Sequence, residues 1–330
     1  MNLRKDMTAS MKGILTILEK KSTRALDKAK EQLFIPEIKN SKLHQALAHY
    51  AKNWDDTLHP GIMAIACEAV GGNDDDVLLM QIPMLLLTAA IDIHDDVLDG
   101  SRVKNGKPTV FGKFGEGVAL LLGDGLLLKG MTVACKNVEK IPTEHMRAII
   151  STIETVFVEA GDAHTLELDF KGKANLDPKE CFDVIKKKSS ILEAHTRIGA
   201  IVGNGTMNQI KNLGEYGRIL GTLITLRDEF IDMFEIQEIS DRIKNGCLPL
   251  PMIYAFKNTM QKNRIMKILS KKELSEKDAE LIADIVFENH RVEHLKQEMK
   301  NLSEMAIHMV SGLGAKQLLC SLLQASLEDI

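Results

Sequence analysis

The sequence predicts an all-α fold, a bundle of about ten or more helices, and three observations carry that expectation. Apolar residues recur at helical spacing through most of the chain, and no segment alternates convincingly at period two. Hydrophobic residues make up 45% and charged residues 27%, yet aromatics are only 4%, so Leu, Ile, Ala and 16 Met must fill the core. That balance suits helix packed on helix. Finally, no Pro/Gly/Ser linker, composition shift or low-complexity tract divides the 330 residues, so residues 1–330 are read as one domain.

Taken in order, Met11, Ile14, Leu15, Ile17 and Leu18 fall on one side of a helix from about Thr8 to Leu33, with lysines opposite; Pro36 ends it. A short helix from Leu43 to Lys52 follows. Asp55-Asp56-Thr57-Leu58-His59-Pro60 opens a buried helix that closes at Gly71-Gly72. Asp74 to Asp76 are placed as the N-cap of a long apolar helix, because acidic side chains suit unpaired N–H groups. After the turn Gly106-Lys107-Pro108 come a core helix from Gly117 to Cys135, a helix starting at Pro142, and one from Asp177-Pro178 to about Gly203. Gln209 to Glu235 form another, and beyond Pro249 and Pro251 short helices alternate with polar turns.

A net charge of −4 without a dense basic run, Lys186 to Lys188 being short, excludes nucleic acid as a partner. Cys67, Cys135, Cys181, Cys247 and Cys320 are scattered and lack metal-ligand spacing, which reads as reduced thiols in a cytoplasmic protein. Met1 to Asp6 contain no apolar leader core. The run from Val77 to Ile91, interrupted by Gln81 and Pro83, is too short to span a bilayer, so the chain is read as soluble.

Chemistry concentrates at Asp92-Ile93-His94-Asp95-Asp96-Val97-Leu98-Asp99, the end of the long apolar helix. Asp95 and Asp99 stand one turn apart on one face, Asp92 a turn earlier, with Asp96 flanking. Crowded carboxylates repel and need protons or cations, and a site keeping positions open for phosphate suits Mg²⁺. Arg227-Asp228-Glu229-Phe230-Ile231-Asp232 repeats the spacing far downstream. One such motif is usually a solvated helix face, but two that close apolar helical runs point to a metal-diphosphate clamp. His290 and His294 are read as surface residues because the intervening sequence lacks the HExxH order. A di-iron bundle needs Glu-x-x-His, and none of the ten histidines has that glutamate.

HDDVLD, then GKPTVFGKFG, GDGLL at Gly123 to Leu127, KSSIL from Lys188, and RDEFID fall in an order and spacing that resemble the trans-isoprenyl diphosphate synthases, the polyprenyl synthetase family, over roughly residues 40 to 260. The resemblance implies a helical bundle around a deep apolar cavity. It implies prenyl transfer from an allylic prenyl diphosphate to isopentenyl diphosphate, with two or three Mg²⁺ ions, in a homodimer. Matched to the motifs, Asp95, Asp96, Asp99, Asp228 and Asp232 are expected as metal ligands. Lys188, Lys104, Lys107 and Arg227 are expected to bind diphosphate, and Asp95, Asp99, Asp228 and Lys188 to carry catalysis. One and two turns before Asp95 lie Ile91, with neighbouring Ala90, and Leu87, which are expected to line the wall of the prenyl tail. Since none is aromatic, the resemblance implies a cavity open to about four isoprene units or more.

The departures are specific. Where the family has Gly-Gly-Lys-x-x-Arg-Pro for the homoallylic diphosphate, this chain has Trp54-Asp55-Asp56-Thr57-Leu58-His59-Pro60. Lys104-Asn105 replaces an Arg pair, Ile224-Thr225 a Phe-Gln, and Gly246-Cys247 a Gly-Lys. Asp or Asn in place of Arg loses charge-assisted bonds to phosphate. Besides prenyl transfer, two readings stay open: a terpene-synthase-like lyase or cyclase that ionises one prenyl diphosphate, and a non-catalytic subunit of a hetero-oligomeric synthase.

Overall fold

The structure, a computed structural model, describes residues 9–33, 39–104, 106–173, 175–235, 239–240, 242, 246–271 and 274–328. The sequence expectations at Pro36 and Asn105 lie outside these residues. The chain folds as α1 (Ala9–Leu33), α2 (Ser41–Asn53), α3 (Leu58–Ala69), α4 (Asp74–Leu98), a hairpin of β1 (Val103–Lys104) and β2 (Lys107–Pro108), α5 (Val110–Phe114), α6 (Glu116–Lys136), α7 (Thr143–Phe170), α8 (Pro178–Lys188), α9 (Ser190–Val202) and α10 (Met207–Asp232). Then follow α11 (Leu250–Ala255), α12 (Thr259–Leu269), α13 (Glu276–Phe287), α14 (His290–Met309) and α15 (Lys316–Ala325). The all-α expectation holds, the two-residue antiparallel ladder Val103 with Pro108 and Lys104 with Lys107 being the sole strand pair among the described residues.

The centre is α3, buried from Pro60 to Cys67, with α9 lying between it and α10. At the α3–α9 crossing Gly199 is required by contact: a Cβ there would fall inside the van der Waals radius of the Met63 carbonyl oxygen. α4 packs along α6, where Gly130 admits Leu87 in the same way.

α4 begins with Asn73 as its cap, the side chain accepting from the N–H groups of Asp75 and Asp76. The three aspartates thus occupy the first turn, where they favour the helix dipole, rather than the cap itself. Pro83, inside the helix, removes the N–H that would serve the Leu79 carbonyl. Asn137, just beyond α6, supplies the missing donor, its Nδ2 lying 2.6 Å from Leu79 O. The helix therefore crosses the core with that polar group satisfied.

The single helix expected from Asp177 to Gly203 is two. Ser189 closes α8 and opens α9; its hydroxyl donates to Ile185 O at 2.8 Å and accepts from Thr222 of α10 at 3.1 Å. This break leaves Lys188 as the last residue of α8.

Gly199→Ala forces α3 and α9 apart or strains the helix. Its stability by urea denaturation is expected to fall by about 1–3 kcal/mol, the usual cost of overpacking a filled core.

Candidate active site

Asp92, Asp95, Asp96 and Asp99 gather where α4 ends, Asp99 being its C-cap. Four carboxylates there repel one another and also oppose the negative end of the helix dipole. Cations from three other elements compensate. From α7, His164 Nδ1 stands 3.1 Å from Asp95 Oδ1 and 3.6 Å from Glu167 Oε2. Lys188 Nζ lies 2.9 Å from Glu167 Oε2 and 4.0 Å from Asp95 Oδ1. Lys171 donates to Leu98 O at 2.6 Å and stands 3.6 Å from Asp99, while Lys104 of β1 lies 2.7 Å from Asp96.

The electrostatics follow. Burial pushes the Asp96 and Asp99 carboxyls above the usual range, and the neighbouring Asp95 charge pushes them further. Burial works against the charges of Lys188 and Lys104, but Asp95 and Glu167 for the first, and Asp96 for the second, hold their ammonium groups above the ordinary lysine value.

Beside this cluster opens a cavity of about 610 Å³. Asp99, Arg102, Glu167 and Lys188 line one side; Thr225, Glu229, Arg242 and Cys247 line the other; Phe170, Val184, Ile185, Leu248 and Ile253 make an apolar wall. From α10 the acid that reaches the cavity is thus Glu229, one turn after Thr225. Arg242 forks between Glu229 at 2.8 Å and Asp232 at 2.7 Å, and Glu229 also accepts from Leu250 N at 2.6 Å. Asp228 is exposed on the same helix. Arg227 turns to the C-terminal segment, its Nε donating to Glu328 O at 3.0 Å, and does not line the cavity.

The two carboxylate clusters differ as hosts for a cation. Asp95 Oδ1 and Asp96 Oδ1 are buried oxygens matched by cationic side chains, His164 Nδ1 at 3.1 Å and Lys104 Nζ at 2.7 Å, and such hard oxygen donors fit a divalent ion taking the place of those groups. Asp232 and Glu229 are already matched by the Arg242 guanidinium and fit a metal only if that arginine withdraws. Among the described residues no three His, Cys, Asp or Glu side chains converge on one preformed metal position.

The residues expected at the tail wall lie in two places. Ala90 is fully buried in the cluster shared with Leu122 and Leu126 of α6. Leu87 and Ile91 do line a cleft with Phe157 of α7 and Ile191 of α9, but only about 10 Å³ remains free there. Side chains have closed it. Lys107 stands exposed on β2. Sequence reasoning passed over Arg102, Lys171 and Arg242. Lys171 was findable, because it sits one helical turn past Glu167 and so on the same face; Arg242 follows a segment with no helical period and gave no signal.

His59 and Asp56 occupy the place of the missing basic residues. His59, in the first turn of α3, holds its Nδ1 2.9 Å from Asp56 Oδ2, and its N–H donates to Asp56 Oδ1 at 3.2 Å. The His195 ring lies 4.8 Å from that of His59; its Nδ1–H donates to Ile191 O at 2.8 Å, leaving Nε2 for the Thr88 hydroxyl at 3.3 Å. Burial and the His59 charge push His195 down to about 3, whereas Asp56 keeps His59 above the ordinary imidazole value despite its crowding. Asp92 presents its carboxylate to solvent from a crowded floor, and that crowding outweighs Lys104 and His59 to lift it to about 6.

The polyprenyl synthetase family model matches residues 40–286. The chain belongs to the polyprenyl synthetase family. Membership makes it a prenyltransferase of the isoprenyl diphosphate synthase kind. It is 26% identical over 260 residues to a short chain isoprenyl diphosphate synthase of Methanothermobacter thermautotrophicus, covering 77% of this chain and 78% of that protein. It is 27% identical over 238 residues to a geranylgeranyl diphosphate synthase of Methanosarcina mazei, covering 71% and 72%. The polyprenyl synthetase fold extends over nearly the whole chain: the geranylgeranyl pyrophosphate synthetase structure from Pyrococcus horikoshii superposes with a TM-score of 0.85 at 23% identity, covering 97% of this chain and 99% of that one.

Because its carboxyl is raised to about 6, Asp92 favours the unfolded state once ionised: the native protein binds the extra proton between about pH 4 and 6, so stability drops as pH rises through that window. Asp92→Asn is expected to raise the melting temperature above pH 6 and to lose that advantage below about pH 4. Solvent reaching the carboxylate screens part of the effect. A melting series across this window checks the sign.

Proposed function

We propose that this chain ionises an allylic prenyl diphosphate at the first aspartate motif, with Mg²⁺, and transfers the prenyl group to an acceptor. The observation that carries this reading is the crowding of Asp95, Asp96 and Asp99 at the end of α4 beside a cavity lined by Arg102, Lys188 and Arg242 and by an apolar wall. Bound there, in two or three copies with the diphosphate, Mg²⁺ would neutralise the charge that builds as the leaving group departs. Asp95, Asp96 and Asp99 are the ligands proposed on α4, with Asp228 and Asp232 joining from α10 once Arg242 moves aside. Lys188, Arg102 and the hairpin lysines Lys104 and Lys107 are the proposed donors to diphosphate oxygens. Lys188 is poised for this by its place at the α8–α9 break, where Glu167 holds its ammonium toward Asp95. Arg227 is left to the C-terminal segment.

The prenyl tail is proposed to lie on the apolar wall of Phe170, Val184, Ile185, Leu248 and Ile253, and a longer tail would have to part Leu87 and Ile91 from Phe157. The elongation acceptor of the family, isopentenyl diphosphate, finds fewer cations here, since Asp56 and His59 stand where the resembled family has lysine and arginine. This observation favours ionisation of the allylic diphosphate alone as the second reading. A homodimer is supported by α6, an apolar helix on which Leu121 and Leu128 remain 66% and 69% exposed. Two helices, α4 and α6, are long and apolar enough to cross a membrane, but the apolar stretch of α4 is mostly buried inside the protein. A cytoplasmic place is supported by five free thiols.

Asp95→Ala is expected to slow diphosphate release roughly a hundredfold or more, and EDTA to abolish it reversibly. Release insensitive to both would end the clamp reading. With isopentenyl diphosphate as co-substrate, loss of even two charge-assisted contacts predicts binding roughly a hundredfold weaker, read as a raised KM. Val184→Phe is expected to shorten the longest prenyl chain used or formed more than Ile91→Phe does; the opposite order would place the tail along α4.

A further inference from the structure

Resting on the reading that Lys188 holds the allylic diphosphate, we propose that Arg218 of α10 is the residue that positions Lys188, fixing the last turn of α8 through a guanidinium bonded to three neighbouring helices. Arg218 does not line the cavity. Its Nη1 and Nη2 fork onto the two carboxylate oxygens of Glu159 of α7 at 2.5 and 2.8 Å. Its Nε donates to Glu193 of α9 at 2.5 Å, and Nη1 also donates to the Lys186 carbonyl of α8 at 3.1 Å. A planar guanidinium has the donors for all of these at once, whereas an ammonium is a single point charge. Arg197 takes the other oxygen of Glu193, so the anchor on α9 is itself held.

The Lys186 carbonyl is where the direction of Lys188 is set. A helix leaves its last carbonyls without N–H partners of its own, and α8 ends at Ser189. Ser189 serves Ile185 O with both its N–H and its hydroxyl, and Arg218 serves Lys186 O. From this turn three consecutive lysines diverge: Lys186 lies over the Phe182 ring, Lys187 pairs with Asp162, and Lys188 reaches Glu167 at 2.9 Å and Asp95 at 4.0 Å. Successive side chains on a helix stand about 100° apart, so a modest rotation of the turn carries Lys188 off the diphosphate. The frame that prevents it is α10. Arg218, Thr222, Thr225 and Glu229 fall on one stripe of that helix, where Thr222 bonds Ser189 at 3.1 Å while Thr225 and Glu229 line the cavity. The face that builds the far wall of the cavity therefore also grips the break that carries Lys188. Misplacing a binding group by about 1 Å costs a rate roughly a hundredfold even when the change lies far from the chemistry.

The test is a double-mutant cycle on the full chain with Mg²⁺. It reads kcat/KM for diphosphate release from farnesyl diphosphate and, separately, the affinity for inorganic diphosphate by calorimetry. Lys188→Ala is expected to lower both roughly tenfold or more. Arg218→Lys keeps a charge between Glu159 and Glu193 but loses the fork, and is expected to lower both by about the same factor. In the Lys188→Ala background the same substitution is expected to change them by less than about twofold, because no ammonium is left to misplace. Equal losses in both backgrounds are the mark of a role confined to stability and overturn the proposal, as does an Arg218→Lys protein with unaltered kcat/KM and affinity. Glu159→Gln removes the charge from the fork with Arg218 in place and gives the same comparison should Arg218→Lys fail to fold: a loss confined to the chain with Lys188 supports the proposal, and a loss in both backgrounds, or none, overturns it. If Lys188→Ala itself leaves release and affinity unchanged, the reading of Lys188 as a diphosphate donor has failed and the proposal falls with it; if Lys188→Ala is impaired and Arg218→Lys is not, the positioning role alone is removed.

Discussion

Like-charge repulsion at the last turn of α4 is the constraint around which this protein is arranged. Asp92, Asp95, Asp96 and Asp99 crowd a helix end whose own dipole is negative, and nothing within α4 relieves them. Relief comes from elsewhere: the hairpin brings Lys104, the end of α7 brings His164 and Lys171, and the α8–α9 break brings Lys188. The hairpin, the end of α7 and the α8–α9 break are irregular where they place Lys104, Lys171 and Lys188, while His164 reaches the cluster from within regular helix. Even so the balance is incomplete, since burial and the Asp95 charge still hold the Asp96 and Asp99 carboxyls above their usual range.

Arg242 extends the same logic to the opposite wall. Its guanidinium bridges Glu229 and Asp232 with the paired geometry that arginine offers carboxylates. Two walls of the cavity thus present acids in different conditions, one open to a hard cation and one already satisfied by a side chain. Cys247 stands where the resembled family has lysine, and Arg242 supplies a guanidinium on this side of the cavity.

The helices and the first motif were legible in the sequence because both depend on local period: apolar spacing sets the helices, and i, i+4 spacing sets Asp95 beside Asp99. Helix limits came within a few residues for the long periodic stretches. Ser189 escaped, since a break made by one hydroxyl bonded to Ile185 and Thr222 leaves the period intact on both sides. The neighbours of Ala90 were not legible for a related reason. Helical spacing says which residues share a face but not which neighbour covers it, and α6 covers that one. Arg242 and the pairing of His59 with Asp56 depend on how irregular segments turn, and the metal ligands on α10 depend on whether a distant arginine stays or leaves. The substitution of Asp56 and His59 for basic residues was visible as a loss of charge; only the 2.9 Å contact between them shows a new arrangement in its place.

The bond between Asn137 and the carbonyl freed by Pro83 bears on how the chain is born. A nascent α4 emerges from the ribosome with the Leu79 carbonyl lacking its partner, and that group stays wet until residue 137 has been made. Its protein partner is thus 58 residues further along the chain than the carbonyl it serves. When α6 is complete, the same contact seats it along α4 in a single register, and the carboxylate end of α4 is set before α7 and α8 deliver their cations. The order of translation thus runs from anions to the groups that neutralise them, and the acidic turn waits in water, where its charges are best tolerated, until its partners arrive.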